Sequence, residues 1–307
     1  MAIGGVITTG AHPKALWPGV HDFWGQVYDE HRIEYTDLYD VLSSEQAYEQ
    51  DVQITGFGLA ANKPEGAEVT YDSEIQGPVQ TYTHIAYSLG YIVTFEELRD
   101  NLYEKVSMNR AEANAFSITQ TIENVCAAVY NDAFIGQIYT NANGQPLCTI
   151  ANPNTTGGSF SNMLSPGADL MEASLEDSCI LAMGLQTDRG LFISVLPQSL
   201  HIARQEWFNA NRILKSILQP GTANNDINVL RATNAFPRGI KLNHYFTMPH
   251  AWFIRTNIKH GMTMFWRDRP IFDQDNDFGT KNALASTYLR FSVGNTDPRC
   301  VIGSNGP

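Results

Sequence analysis

Between Thr94 and about Asn131 the chain contains no proline and carries the marks of one long helix. Thr94-Phe95-Glu96-Glu97 reads as a capping box, in which the threonine hydroxyl accepts from the Glu97 backbone and the glutamate reaches back. Phe95, Leu98, Leu102 and Val106 recur at helical spacing, and Ile118, Ile122, Val125 and Val129 repeat the stripe. An uninterrupted helix over this run would be roughly 55–60 Å long, more than most single domains are wide. With only a narrow apolar stripe, such a helix is a strut. Shells and fibres use struts more often than enzymes do.

The segments around it also read as parts that need a neighbour. From Asp51 to Val93 the chain is extended, with Tyr87, Leu89, Tyr91 and Val93 alternating with Ala86, Ser88, Gly90 and Ile92. Gly56-Phe57-Gly58 and Asn62-Lys63-Pro64-Glu65-Gly66 form a turn cluster between two strand-like arms. The distal part, from about Gly58 to Gln80, has few large aliphatic residues, so the hairpin is marginal alone. It either leans on another molecule or is a surface loop. Before about Glu30 the chain is rich in glycine, proline and aromatics, including Trp17, Phe23, Trp24 and Tyr28. Two readings stay open: an arm lying on an adjacent subunit, with these rings as anchors, or a segment tucked onto its own domain.

Tyr139 to Pro166 is dense in turn-forming residues and reads as an irregular connection. Beyond it Met171, Leu175, Cys179, Ala182 and Leu185 mark a helix face, and Leu191 to Leu196 an apolar strand. Ser199 is placed to cap a helix through His201, Ala203 and Trp207, and Gly221 to Asp226 is a further loop. Ala251 to Ile254, Thr263 to Trp266 and Thr287 to Val293 read as strands. This order predicts an α+β fold whose final strand returns to the long helix.

The chain has 307 residues, 43% hydrophobic and 17% charged, which describes an ordered globular protein. A net charge of −12 argues against tight wrapping of nucleic acid and suits high solubility. Cys126, Cys148, Cys179 and Cys300 lack C-x-x-C spacing and read as reduced thiols of a cytosolic product. Met1 to Gly10 is neutral and too short for a signal peptide, and no apolar run reaches membrane-spanning length.

Catalytic patterns are weak. Asp277-Phe278-Gly279 spells a kinase triplet without a glycine-rich phosphate loop or an H-R-D loop. His244, His250 and His260 read as structural histidines. Asp273, Asp275 and Asp277 alternate as in a calcium loop, but the required glycine and distal glutamate are missing. Arg255, Lys259, Arg267 and Arg269 read as a salt-bridged face, offset by the aspartates that follow. Carboxylates are plentiful, yet nothing singles out one pair for hydrolysis. No catalytic, cofactor-binding or metal-ligating residue is assigned.

The order of parts resembles the major capsid proteins of tailed bacteriophages, in particular the Mu-like major head subunit family. The resemblance spans Leu16-Trp17-Pro18-Gly19, Thr94-Phe95-Glu96-Glu97-Leu98, Leu196-Pro197-Gln198-Ser199-Leu200 and Ala251-Trp252-Phe253-Ile254. It continues through Arg269-Pro270, Asp275-Asn276-Asp277-Phe278, Arg290-Phe291-Ser292-Val293-Gly294 and Asp297-Pro298-Arg299. It implies the α+β Hong Kong 97-type fold: an N-terminal arm over residues 1–45, an extended hairpin region over 46–93, and a peripheral domain with its spine helix over 94–164. An axial domain would follow over 165–275, then a return to the peripheral domain and a tail over 276–307.

The function implied is a head subunit that self-assembles into hexamers and pentamers of an icosahedral shell around double-stranded DNA, which it does not bind specifically. The nearest alternative is the shell of a protein-filled nanocompartment; a hydrolytic enzyme is a distant third. Candidate intersubunit contacts are Trp17, Phe23, Trp24 and Tyr28 in the arm and Lys63, Pro64 and Glu65 at the hairpin tip. Some family members join a hairpin lysine covalently to a neighbour's asparagine; no partner asparagine is identifiable for Lys63. The short N-terminus leaves no room for a fused scaffold, so separate scaffolding and protease proteins are expected. Portal and decoration proteins are further expected partners. The resemblance places the protein in the virion, assembled in the host bacterial cytoplasm, with no membrane association.

Overall fold

The computed structural model describes Trp24, Tyr28 and residues 32–99, 103–219 and 226–306. After a one-turn helix α1 (Tyr35–Leu38) come β1 (Asp40–Ser43), β2 (Tyr48–Ile54), β3 (Gln76–Thr83) and β4 (Ile85–Val93). Helices α2 (Phe95–Arg99) and α3 (Tyr103–Asn131) follow, then the short strands β5 (Asn152–Pro153) and β6 (Ser159–Phe160). The remainder is α4 (Glu172–Met183), β7 (Pro197–Ala203), α5 (Trp207–Lys215), α6 (Val229–Ala232), β8 (Ile240–Asn243), β9 (Trp252–Thr256), β10 (Met262–Asn276), β11 (Ala283–Asn295) and β12 (Val301–Ser304).

Two four-stranded sheets organise these elements. The first has the order β1-β10-β11-β4, and the second β12-β9-β7-β8. In the first, β10 and β11 form a long antiparallel pair, with register shifts on either side of Asp268. Pro270 lies at that irregularity, where a residue without an N–H breaks no regular ladder. β1 pairs in parallel with only the first part of β10, from Asp40 opposite Thr263 to Ser43 opposite Trp266.

Helix α3, 29 residues and about 43 Å long, lies on the first sheet. Among the described side chains its buried positions are Ala111, Asn114, Ala115, Ile118, Thr119, Ile122, Glu123, Cys126, Ala127, Val129 and Tyr130. That recurrence at three and four residues makes a broad seam. Its C-terminal half joins Tyr35, Leu38 and Tyr39, Met264 and Phe291 of the first sheet, and Phe253 and Val301 of the second, in one core. The other face of the second sheet, with Leu200, Ile202, Trp252, Ile254 and Ile302, packs on Leu175 of α4, Ile213 of α5 and Leu230 of α6. The second sheet is therefore covered on both sides.

Several expectations change. The long helix is described as α2 and α3, with residues 100–102 and the side chains of Leu98, Leu102 and Val106 outside the described residues. It is a core helix and not a strut with a narrow stripe, because it packs at once on two modules, the first sheet and the second sheet with its covering helices. Thr94 does cap, accepting from the Glu97 N–H at 3.4 Å. The Glu97 carboxylate turns instead to the Arg110 guanidinium in a two-pronged pair of 3.0 and 3.1 Å, completing no capping box. Leu191 to Leu196 forms no strand beyond an isolated bridge at Phe192, and the strand is β7. Ser199, His201 and Ala203 face one side of it and Leu200 and Ile202 the other, so helix formation waits until a 3₁₀ turn at Arg204–Glu206 that leads into α5. Arg255 belongs to no exposed face: it is buried, and it pairs with Asp40 at 2.5 Å rather than with the aspartates that follow. Residues 221–225 of the expected loop lie outside the described residues.

Candidate assembly surfaces

The β2–β3 hairpin is anchored at its base, and Arg189 holds its returning arm at Asp72 and the Ser73 carbonyl. Tyr82 Oη and Thr296 Oγ1 lie 2.7 Å apart, and the Gln53 amide donates to the Thr296 carbonyl at 2.6 Å. His84 sits between Ser44 and Ser292, 3.0 Å from each hydroxyl. Past Ile54 the ladder ends, and residues 55–75 carry no strand. One device gathers this stretch: the Asp72 carboxylate accepts the Gly58 and Ser73 N–H groups, both at 2.8 Å, and faces Arg189 at 3.8 Å. Those two backbone donors, with Arg189 behind them, hold the Asp72 carboxyl below its usual range.

The tip is a β-turn from Pro64 to Ala67, closed by an Ala67 N–H to Pro64 carbonyl bond of 3.1 Å. Gly66 has φ +80°, the position of such a turn that favours glycine. Lys63, Pro64 and Glu65 are all exposed there. The loop also presents Leu59, 86% exposed, and Tyr71, 92% exposed, together with Phe57 and Val69. A projecting loop with this much uncovered apolar surface is typical of an interaction site.

The arm residues divide. Trp17 and Phe23 lie outside the described residues. Trp24 is 6% exposed: it stacks on Tyr28 at 5.1 Å and Phe272 at 5.4 Å, and its Nε1 donates to Asn114 Oδ1 at 2.9 Å. The small side chains of Ala111, Ala115, Ala283 and Ala285 surround the ring. Its own subunit therefore covers Trp24, with Tyr28 half-buried beside it.

A second projection was not singled out by sequence reasoning. At the β10–β11 turn Phe278 is 99% exposed. Asp277 Oδ1 accepts from the Gly279 N–H at 3.1 Å, and Oδ2 from the Thr280 hydroxyl at 2.6 Å and its N–H at 3.2 Å. Those bonds, the Thr280 hydroxyl foremost, keep the Asp277 carboxyl below its usual range. The Asp-x-Gly-Thr spacing that makes this turn was the available signal. Near it, the face of the first sheet away from α3 leaves Ile92, Ile271 and Tyr288 exposed.

Among the described residues a serine–histidine pair on β7 lies at hydrogen-bond distance. Ser199 Oγ lies 2.8 Å from His201 Nε2, but both side chains are sealed in the core, burial pushes the imidazole down to about 3, and its Nδ1 has no partner. A nucleophile–base pair needs access to substrate and an orienting group, and this pair has neither. Among the described residues no cluster of His, Cys, Asp and Glu is arranged to hold a metal. No helix among them is long and apolar enough to cross a membrane. The four cysteines are free and buried. Arg299 is a buried cation between Asp188 at 2.5 Å and Asp297 at 3.4 Å, stacked over Phe160, and it ties the loops of both modules together.

No protein-family model matches this sequence, and no curated protein matches it. Solved structures do. The procapsid of bacteriophage JBD30 matches with a TM-score of 0.54 at 13% identity, over 97% of this chain and 76% of that one. The capsid of Myoviridae phage XM1 matches at 0.52 and 10% identity, over 99% and 100%. The virus-like particle from Pyrococcus furiosus matches at 0.52 and 11% identity, over 94% and 99%. At these identities the likeness is one of fold, and it covers nearly the whole chain: the protein has the Hong Kong 97-type capsid fold.

Proposed function

We propose that this chain is the shell-forming subunit of a tailed double-stranded DNA bacteriophage head, assembling as hexamers and pentamers of an icosahedral capsid. The observation that carries the reading is the fold, shared over nearly the whole of this chain with subunits of phage capsids. Supporting it are two projections that a solitary protein does not need: the apolar hairpin loop at 55–75 and the Phe278 turn. Assembly from many modest contacts lets wrong ones dissociate, and projecting loops supply area without demanding a rigid match. In this reading residues 1–45 act as an arm, 46–93 as the hairpin that reaches a neighbour, and 94–164 with 276–307 as the peripheral domain. Residues 165–275 are the axial domain. Trp17, Phe23 and the Lys63-Pro64-Glu65 tip are its intersubunit contacts. The net charge of −12 suits a wall that encloses DNA without gripping it. Scaffolding, portal and decoration proteins are the partners of such a subunit, and the virion, built in the host cytoplasm, is its location.

Expression with and without the neighbouring gene products, followed by sedimentation and electron microscopy, tests the reading. Capsomers or closed shells are expected. A small fixed oligomer under every condition would overturn it. A shell around protein is the second reading, and the same fold in a virus-like particle from Pyrococcus furiosus is compatible with it. Nucleic acid inside particles recovered from the native host favours the first reading, and a protein filling favours the second.

A further inference from the structure

The second module carries two oppositely charged helical stripes of identical spacing. On α4, Glu172, Glu176, Ile180 and Met183 recur at i, i+4, i+8 and i+11; the two carboxylates are half-buried, and Ile180 and Met183 are exposed. Asp177 adds a third acid beside them, and no lysine or arginine occurs between Arg110 and Arg189. Leading into and along α5, Arg204, Phe208, Arg212 and Lys215 repeat the same spacing, all exposed, with Phe208 77% exposed. Like charges four residues apart on one helix destabilise it. Among the described residues none of these six charges forms an ion pair; the Glu172 carboxylate has a hydrogen bond from the Gln219 side chain. Burial, then the neighbouring Glu176, raises the Glu172 carboxyl above its usual range. Beside the acidic stripe lies an open groove of about 630 Å³ lined by Ile180, Met183, Leu196, Val229 and Pro237.

We propose that the basic, aromatic face of α5 on one subunit docks on the acidic face of α4 of a second copy of this chain, with Phe208 seated in the apolar groove. Charge complementarity selects the occupant. Among the described residues neither stripe has a counter-ion in its own chain, and each supplies what the other lacks, at the same pitch. The apolar groove receives the one large apolar side chain of the basic stripe. Because the two faces are different surfaces of one module, the contact is heterologous and propagates head to tail, closing into a ring when the rotation permits. This rests on the shell-subunit reading and gives its rings a specific lateral contact.

Charge reversal separates this contact from alternatives. Arg212→Glu and Glu176→Arg should each lower the assembled fraction about tenfold in sedimentation at concentrations where the unaltered chain assembles, and the double variant should recover to within about threefold. Phe208→Ala should act like either single reversal. All four variants should melt as dissociated subunits within about 2 °C of the original, since Arg212 and Phe208 are exposed and Glu176 is only half-buried. Single reversals that assemble normally, or a double variant no better than the worse single one, would overturn the contact while leaving the shell reading intact. A chain that never forms rings or shells before any substitution overturns the shell reading and this contact with it.

Discussion

Trp24→Ala distinguishes an aromatic anchor for a neighbour from a wedge in the subunit's own core. The ring is nearly fully buried, between Tyr28 and Phe272 and against four alanines. Truncating a buried tryptophan costs about 3–5 kcal/mol, because the alanine-lined walls cannot collapse onto the space left. The lost hydrogen bond adds little, since Asn114 Oδ1 keeps the Thr287 hydroxyl and so escapes the orphaned-acceptor penalty of about 1–3 kcal/mol. The expected loss is therefore about 3–5 kcal/mol. At roughly 2 °C per kcal/mol for a chain of this size, the melting temperature of dissociated subunits should fall by about 6–10 °C. Trp24→Phe keeps the stack and gives up the indole N–H, and should cost about 1 kcal/mol. Thermal melts of both variants, followed by near-ultraviolet circular dichroism, provide the comparison. A Trp24→Ala subunit that melts within 1 °C or so of the original yet fails to assemble would refute the reasoning and return the ring to an intersubunit role.

Ile122→Asp places a carboxylate at a fully buried position of α3 and should cost about 3 kcal/mol or more, whereas Glu112→Gln on the exposed side should stay within about 0.5 kcal/mol; denaturant titration ranks them. Removing residues 60–70 spares the Asp72–Gly58 clamp and the β2–β3 ladder, so the subunit should keep its melting temperature while shells fail to form, and loss of folding would place the tip in the core. Glu123 is buried on α3 and accepts the Glu34 and Tyr35 N–H groups, and burial foremost, with Glu34 and Asp37 nearby, pushes its carboxyl up to about 7. A folded-state value above the unfolded one means that the stability gained from this proton is complete below about 4.5 and disappears as pH rises through about 7. Glu123→Gln should thus flatten the fall in melting temperature between about pH 5 and 8, and a parallel fall in both proteins would count against this group as the source.

How much could be read from residues alone depended on whether the signal was local. Strands β4 and β11 and helix α4 were visible because their apolar residues recur at the period of the element that forms, and β9 because it is a short continuous apolar run. The order of motifs along the chain carried the fold class without any one of them being diagnostic. Position in three dimensions was another matter. Ser199 and His201 looked like the start of a helix because a serine before an amphipathic run is a general cap signal; burial of β7 on both faces decided for a strand. Arg255 looked like one member of a basic face, but Asp40, far away in sequence, makes it an internal ion pair. Trp24 and Phe278 show the limit most clearly. Each is an aromatic residue in a polar, turn-rich neighbourhood, yet one fills a pocket built from α3, β4, β10 and β11 and the other stands free at a turn. Local propensity is encoded within a few residues and survives in any fold. Whether a side chain is covered depends on which distant segments pack over it, and only the tertiary structure settles that.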